Sequence, residues 1–81
     1  MPKLVLSSDL QRFSDGDREI DVAAGSYPDL VRELLARYPA LGEEIIRRQS
    51  LAIDGMIVHT PMLERFREDS QLVFVARIAG G

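Results

Sequence analysis

The chain offers few side chains able to do chemistry. His59 is its one histidine and cysteine is absent. A metal or nucleophilic site built on His59 needs further ligands or a partner at definite spacing, and no second His or Cys supplies them. An exposed loop position is therefore the expectation for His59. Paired carboxylates stand at Glu43-Glu44, Glu68-Asp69 and Asp15/Asp17. The first pair falls on helical positions and the others in turns, where acids are common solvating residues. Ser7 and Ser8 have no visible base, and G-x-G-x-x-G, G-x-x-x-x-G-K-S/T and G-x-S-x-G are all missing, so phosphate cradles and the hydrolase elbow do not arise. The absence of cysteine also removes disulfides, zinc–thiolate sites and iron–sulfur clusters. The basic clusters Arg47-Arg48 and Arg65/Arg67 are interleaved with Glu43, Glu44, Glu64 and Glu68. That pattern reads as a salt-bridged surface rather than a nucleic-acid patch. An active site assembled from side chains is not expected.

The end of the chain is different. Ile78-Ala79-Gly80-Gly81 places two glycines after an apolar, β-rich run. With average glycine usage near ~7%, that pairing arises by chance about 0.5% of the time. Two residues without side chains make a narrow, extendable arm that can thread a tunnel in another protein. Such an arm presents the Gly81 carboxylate to a reagent held there, with Gly80 and Ala79 as the threading tail.

The elements that must position this arm are legible in outline. Lys3-Leu4-Val5-Leu6 is β-rich, and Glu19-Ile20-Asp21-Val22 alternates polar and apolar as a half-buried strand does. Between them, Ser14-Asp15-Gly16-Asp17 is turn chemistry, so the opening reads as a hairpin with a long, ragged turn. Ser26-Tyr27-Pro28-Asp29 announces a helix through a capping serine, a first-turn proline and an acid at the positive end of the dipole. Leu30, Val31, Leu34, Leu35 and Tyr38 form one stripe on that helix, with Arg32, Glu33 and Arg37 on the wet side. Pro39 ends it. A short second helix over Leu41 to Arg48 turns Leu41, Ile45 and Ile46 inward. Leu51 to Val58 reads as a hairpin around Asp54-Gly55, a pair suited to a type I′ turn. Thr60 to Phe66 is a crossing segment, and Arg67-Glu68-Asp69-Ser70 is a turn. Leu72 to Ile78 is the best strand, and its near-continuous apolarity predicts a central strand buried on both faces. The first and last strands, if neighbours, would be parallel and central. The whole is α+β: a mixed four- to five-stranded sheet with one main crossover helix on one face.

Composition sets the remaining bounds. Eighty-one residues, 46% hydrophobic and 28% charged, with a net charge of −3, allow one soluble domain, read as 1–78 with 79–81 as tail. The mild acidity argues against nucleic acid. The apolar runs are far below the ~18–20 residues of a membrane span, and the lack of cysteine fits a reducing cytoplasm. So small a fold is not expected to enclose all of Met56, Ile57, Met62 and Phe66, and a residual apolar patch there would mark a partner surface.

The sequence resembles the MoaD/ThiS sulfur carriers, small proteins of ubiquitin-like β-grasp fold, along essentially its whole length. Carrying the resemblance are Leu30-Val31-Arg32-Glu33-Leu34-Leu35 in the crossover helix, Tyr38-Pro39-Ala40-Leu41 after it, and the Ala52-Ile53-Asp54-Gly55 hairpin. Asp69-Ser70-Gln71-Leu72-Val73 leading into the last strand continues it, and the terminal Gly80-Gly81 is its most specific element. The resemblance implies a carrier, not an enzyme: an adenylating enzyme using ATP and Mg activates the Gly81 carboxylate. A sulfurtransferase or other sulfur donor then makes a thiocarboxylate, and an acceptor synthase consumes it in molybdopterin, thiamine or cysteine biosynthesis. The chain itself binds no cofactor. Relatives in molybdopterin synthesis commonly carry prolines where this chain has Ala76-Arg77, a departure from the pattern of that pathway's carriers. Met56, Met62, Phe66 and Arg77 are the candidate partner-facing residues. Two other functions are compatible with the same residues: a protein modifier joined through Gly81 to lysines elsewhere, and an interaction module in which the tail is idle.

Overall fold

The structure is a computed structural model, and residues 1–58 and 64–76 are described. Strand β1 (Lys3–Val5) leads into a short helix α1 (Ser8–Gln11) and then strand β2 (Glu19–Asp21). Helix α2 (Tyr27–Arg37) is followed by the short α3 (Glu43–Arg47). Strands β3 (Gln49–Ile53), β4 (Met56–Val58) and β5 (Gln71–Ala76) complete the elements. They form one sheet in the order β2-β1-β5-β3-β4. β1 and β5 run parallel, as expected from the sequence, and the other pairings are antiparallel. A crossover helix between two hairpins, with the last strand inserted at the sheet centre, is the α+β arrangement read from the sequence.

The helix forms because its apolar residues recur on one side. Tyr27, Leu30, Val31 and Leu34 of α2 are buried, Leu35 is partly so, and Tyr38 is buried at the C-cap before Pro39. They meet Leu4, Ile20, Leu51, Leu72 and Phe74 from one face of the sheet in a single cluster, which Leu6, Leu10, Val22, Leu41 and Ile46 close. Register explains which strand residues take part. Ile20, Leu4 and Leu72 stand in one row across β2, β1 and β5, and Leu51 pairs with Phe74 in the next. The alternation of strand side chains then sends Val5, Val73, Val75 and Ala52 to the opposite face.

Several sequence expectations are corrected. The connection after β1 contains α1, whose Leu10 is fully buried, because a single anchored turn tucks an apolar residue under the sheet. The short α3 begins at Glu43, two residues later than expected, after Gly42 turns the chain at φ 70°. Ser26 occupies the N-cap of α2 without a side-chain capping bond, while the residue itself bridges to Arg65. β5 is central, yet it is not buried on both faces: Leu72 and Phe74 are buried, while Gln71, Val75 and Ala76 are exposed. Its apolarity has a second cause, which lies on the open face. The hairpin turn is as expected, with Asp54 at φ 51° and Gly55 at φ 87°, both left-handed as a type I′ turn requires. Asp54 also pins the turn to β5, its N–H donating to the Gln71 carbonyl and its carboxylate accepting the Gln71 N–H, both at 2.8 Å.

Candidate functional site

Because β1 and β5 are parallel, both strands finish at the same end of the sheet, here called the exit end. Ala76 closes β5 there, opposite Gln49 at the start of β3. Ser7, just past β1, donates its hydroxyl to the Gln49 side-chain carbonyl at 2.9 Å. The two strands flanking β5 are thus braced to each other beside the point where the chain continues toward Arg77. The α1 connection lies at the same end. It is fastened by the buried Ser14, whose hydroxyl lies 2.9 Å from the Asp17 carbonyl, and by Tyr38, which donates to the Asp17 carboxylate at 2.7 Å. Burial, then the hydrogen bond to Asp17, raises the Tyr38 phenol above its ordinary ionisation range.

The open sheet face carries an apolar row. Val5, Val73, Ala52 and Ile57 stand side by side across β1, β5, β3 and β4, and Glu19 of β2 ends the row. Val75 lies one step nearer the exit end, paired with the buried Ser50. Ile57 is 54% exposed, Val75 36% and Met56, at the hairpin, 70%. Ala52 and Ser50 between them are buried, and Val5 and Val73 are partly buried, so the exposed apolar side chains of this face are Ile57 and Val75, with Met56 at its edge.

The sequence-predicted residues divide accordingly. Met56 sits at the edge of the open face. Phe66 is half-buried and packs against the core, anchored through its N–H to the Gly25 carbonyl at 2.9 Å, so it serves the fold. Gly81, Gly80, Ala79, Arg77, Met62 and His59 lie outside the described residues. The sequence reading named Ile57 but missed Val73 and Val75, which it assigned to a strand buried on both faces. Their signal was present: β5 alternates inward Leu72 and Phe74 with outward valines, which a uniformly apolar run conceals.

The charged clusters are paired surface. Arg47 meets Glu43 at 3.2 Å, Arg48 meets Glu44 at 3.2 Å, and Arg67 approaches Asp54 at 4.0 Å. Asp29 is held below the usual carboxylate range by its hydrogen bond to Arg32. Among the described residues no group of three or more His, Asp or Glu is placed to hold a metal, and no helix is long and apolar enough to cross a membrane.

Comparison with solved structures agrees with the topology. The crystal structure of SAMP1 from Haloferax volcanii superposes with a TM-score of 0.69 over 99% of this chain and 98% of that one, at 18% identity. The fold is the ubiquitin-like β-grasp. No protein-family model matches the sequence, and no curated protein matches it. At 18% identity the likeness to SAMP1 concerns the fold. β5 lies between β1 and β3 and is paired on both edges.

Proposed function

We propose that this ubiquitin-like protein is a sulfur carrier charged at Gly81. The reading rests on one observation above others: the central strand β5, clamped on both sides, leads directly into Arg77-Ile78-Ala79-Gly80-Gly81. In this reading Gly81 ends the mature chain. A partner enzyme binds ATP and Mg, and a Gly81 carboxylate oxygen attacks the α-phosphorus. The bond from that phosphorus to the bridging oxygen breaks, and pyrophosphate leaves. Hydrosulfide, or the terminal sulfur of a persulfide, then attacks the acyl carbon. The C–O bond breaks and AMP departs. With hydrosulfide, loss of its proton leaves the thiocarboxylate. With a persulfide, the S–S bond must be cleaved by a thiol, which becomes a disulfide. Adenylation is needed because a carboxylate is a poor electrophile. The folded domain supplies a rigid handle, and the glycines supply an arm without β-carbons to obstruct threading.

The experiment is intact-protein mass spectrometry after incubation with an adenylating enzyme from the same source, ATP, Mg and sulfide. Replacing oxygen by sulfur adds about 16 Da, and deletion of Gly80 and Gly81 abolishes the gain. An unchanged mass, with an enzyme shown to adenylate the tail, overturns the carrier reading. Conjugates joined through Gly81 to lysines of other proteins would favour the modifier reading instead.

A further inference from the structure

The end of β5 is held differently from the rest of the strand. β1 keeps pace with β5 only as far as Val73, and past it Phe74, Val75 and Ala76 register with Leu51, Ser50 and Gln49 of β3. On the β1 side the ladder gives way to the hydrogen bond from the Ser7 hydroxyl to Gln49. Gln49 stands two residues before the buried Leu51, so strand alternation puts its side chain on the core face, where the residue is 7% exposed. Since β5 lies between β1 and β3, a bond joining Ser7 to Gln49 crosses the strand on that face, beside Ala76.

Both residues give up something to make this bond. Ser7 occupies the N-cap of α1, where a serine oxygen ordinarily accepts one of the helix's own free amides. It makes no capping bond there, and its hydroxyl donates to Gln49 instead. Gln49 is a buried amide beside an apolar core, a placement that costs free energy unless the group is hydrogen-bonded. The bond is also aimed. The Ser7 carbonyl accepts the Leu10 and Gln11 N–H groups at 3.0 and 3.1 Å, and the Gln11 side-chain amide donates to the Leu6 carbonyl at 3.0 Å. Leu10 is fully buried, so α1 is an anchored turn that holds the Ser7 hydroxyl toward β3.

We infer that Ser7 and Gln49 are positioning residues, their bond a strap that fixes the direction in which the chain leaves the sheet past Ala76. The inference rests on the carrier reading and adds to it what sets the course of the tail. Gly80 and Gly81 impose little direction of their own, so the direction is set at the base. An arm with a fixed base spends more of its time in the conformers that enter a partner's tunnel. Apparent affinity falls in proportion as that fraction falls, while the seated carboxylate reacts as before. The strap therefore governs KM and leaves kcat alone.

The test is ATP–pyrophosphate exchange by the purified adenylating enzyme, with this chain as the varied substrate. S7A removes the donor, Q49M removes the amide at similar side-chain length, and S7T keeps the hydroxyl. Releasing the backbone of one residue corresponds to about 5-fold at the lower end of the ordering cost. KM should rise by about that factor in S7A and in Q49M, with kcat unchanged. S7A/Q49M should be no worse than either single variant, because one bond is lost in all three. S7T should stay within about twofold of wild type, since threonine also suits an N-cap. E33Q, altered at the other end of the sheet, is the control for stability and should keep the wild-type KM. Assays run well below the melting temperature of every variant. Hydrogen exchange reads the strap without the enzyme: the Val75 and Ser50 amides, which register across the ladder, should exchange several-fold faster in S7A and Q49M, with Gln71 unchanged. A KM that S7A and Q49M leave alone, or that E33Q raises as much, overturns the inference while the carrier reading stands. Failure of S7T to restore KM overturns it too. No exchange by wild type with an enzyme of proven activity refutes the carrier reading, and the inference falls with it.

Discussion

Glu33 is the residue whose replacement most directly tests how this small fold is fastened. It lies on the exposed-looking side of α2, yet its carboxylate reaches back to the segment joining β2 to the helix. One oxygen accepts the Ala23 N–H at 2.9 Å and the Ala24 N–H at 3.0 Å, and the other accepts Ala23 at 3.1 Å. Ala24 is buried, so E33A leaves its amide without a partner, at a cost of about 1–3 kcal/mol. The Ala23 amide is exposed and turns to water, losing only the net value of one bond, about 0.5–1.5 kcal/mol. The expected loss is therefore about 1.5–4.5 kcal/mol. A domain of this size shifts by about 4–8 °C per kcal/mol, so Tm should fall by roughly 6 °C or more. In E33Q one oxygen can still accept both amides, and removing the charge alone should cost about 1 kcal/mol. Urea unfolding gives both values, and hydrogen exchange should show the Ala24 and Phe66 amides opening first, because Phe66 hangs from the same segment through Gly25. A loss below about 0.5 kcal/mol in E33A, the size of an ordinary surface change, would show that the contacts are incidental.

Further substitutions probe other links. Tyr38 carries a raised phenol ionisation, so the neutral form is favoured in the folded state. Its contribution is complete below the ordinary value of 10.0 and is lost as pH rises through the folded value. Urea titrations from neutral pH to above pH 10 should therefore show wild type losing stability, with Y38F weaker at neutral pH by about 1–2 kcal/mol and flatter in alkali. G55A has no steric obstacle to its β-carbon, so the φ of 87° alone should cost about 1–2 kcal/mol by thermal melt. F74A opens a cavity where β5 meets the core and should cost about 3–5 kcal/mol, enough to leave a partly unfolded population at 37 °C.

The fold was legible where one local rule spoke without competition. The stripe from Leu30 to Tyr38, the proline at 39 and the Asp54-Gly55 turn are each decided by neighbours in sequence, and the structure has them as read. The sequence left open whether the first and last strands are neighbours, and the structure pairs β1 with β5 in parallel. Failures came where a residue's role is set across the sheet. Glu33 looks like a solvated helix charge because nothing in its own turn reveals the two amides of Ala23 and Ala24. Leu10 looked like part of a polar connection because its burial depends on the sheet above it. Val73 and Val75 looked buried because a continuous apolar run cannot distinguish a second covered face from a partly open one. Phe66, proposed for a partner surface, packs inward because the link from its N–H to Gly25 brings it against the core.

Fastening contacts stand at both ends of the sheet. At the end where β1 and β5 begin, Glu33 fastens the loop after β2, and Asp54 and Gln71 exchange two hydrogen bonds. At the exit end Ser7 braces Gln49, and Tyr38 holds the α1 connection through Asp17. Glu33 and Tyr38 share no partner, so their losses should add within about 0.5 kcal/mol in the double variant E33A/Y38F. A larger coupling in urea unfolding would show that the two ends of the sheet open together.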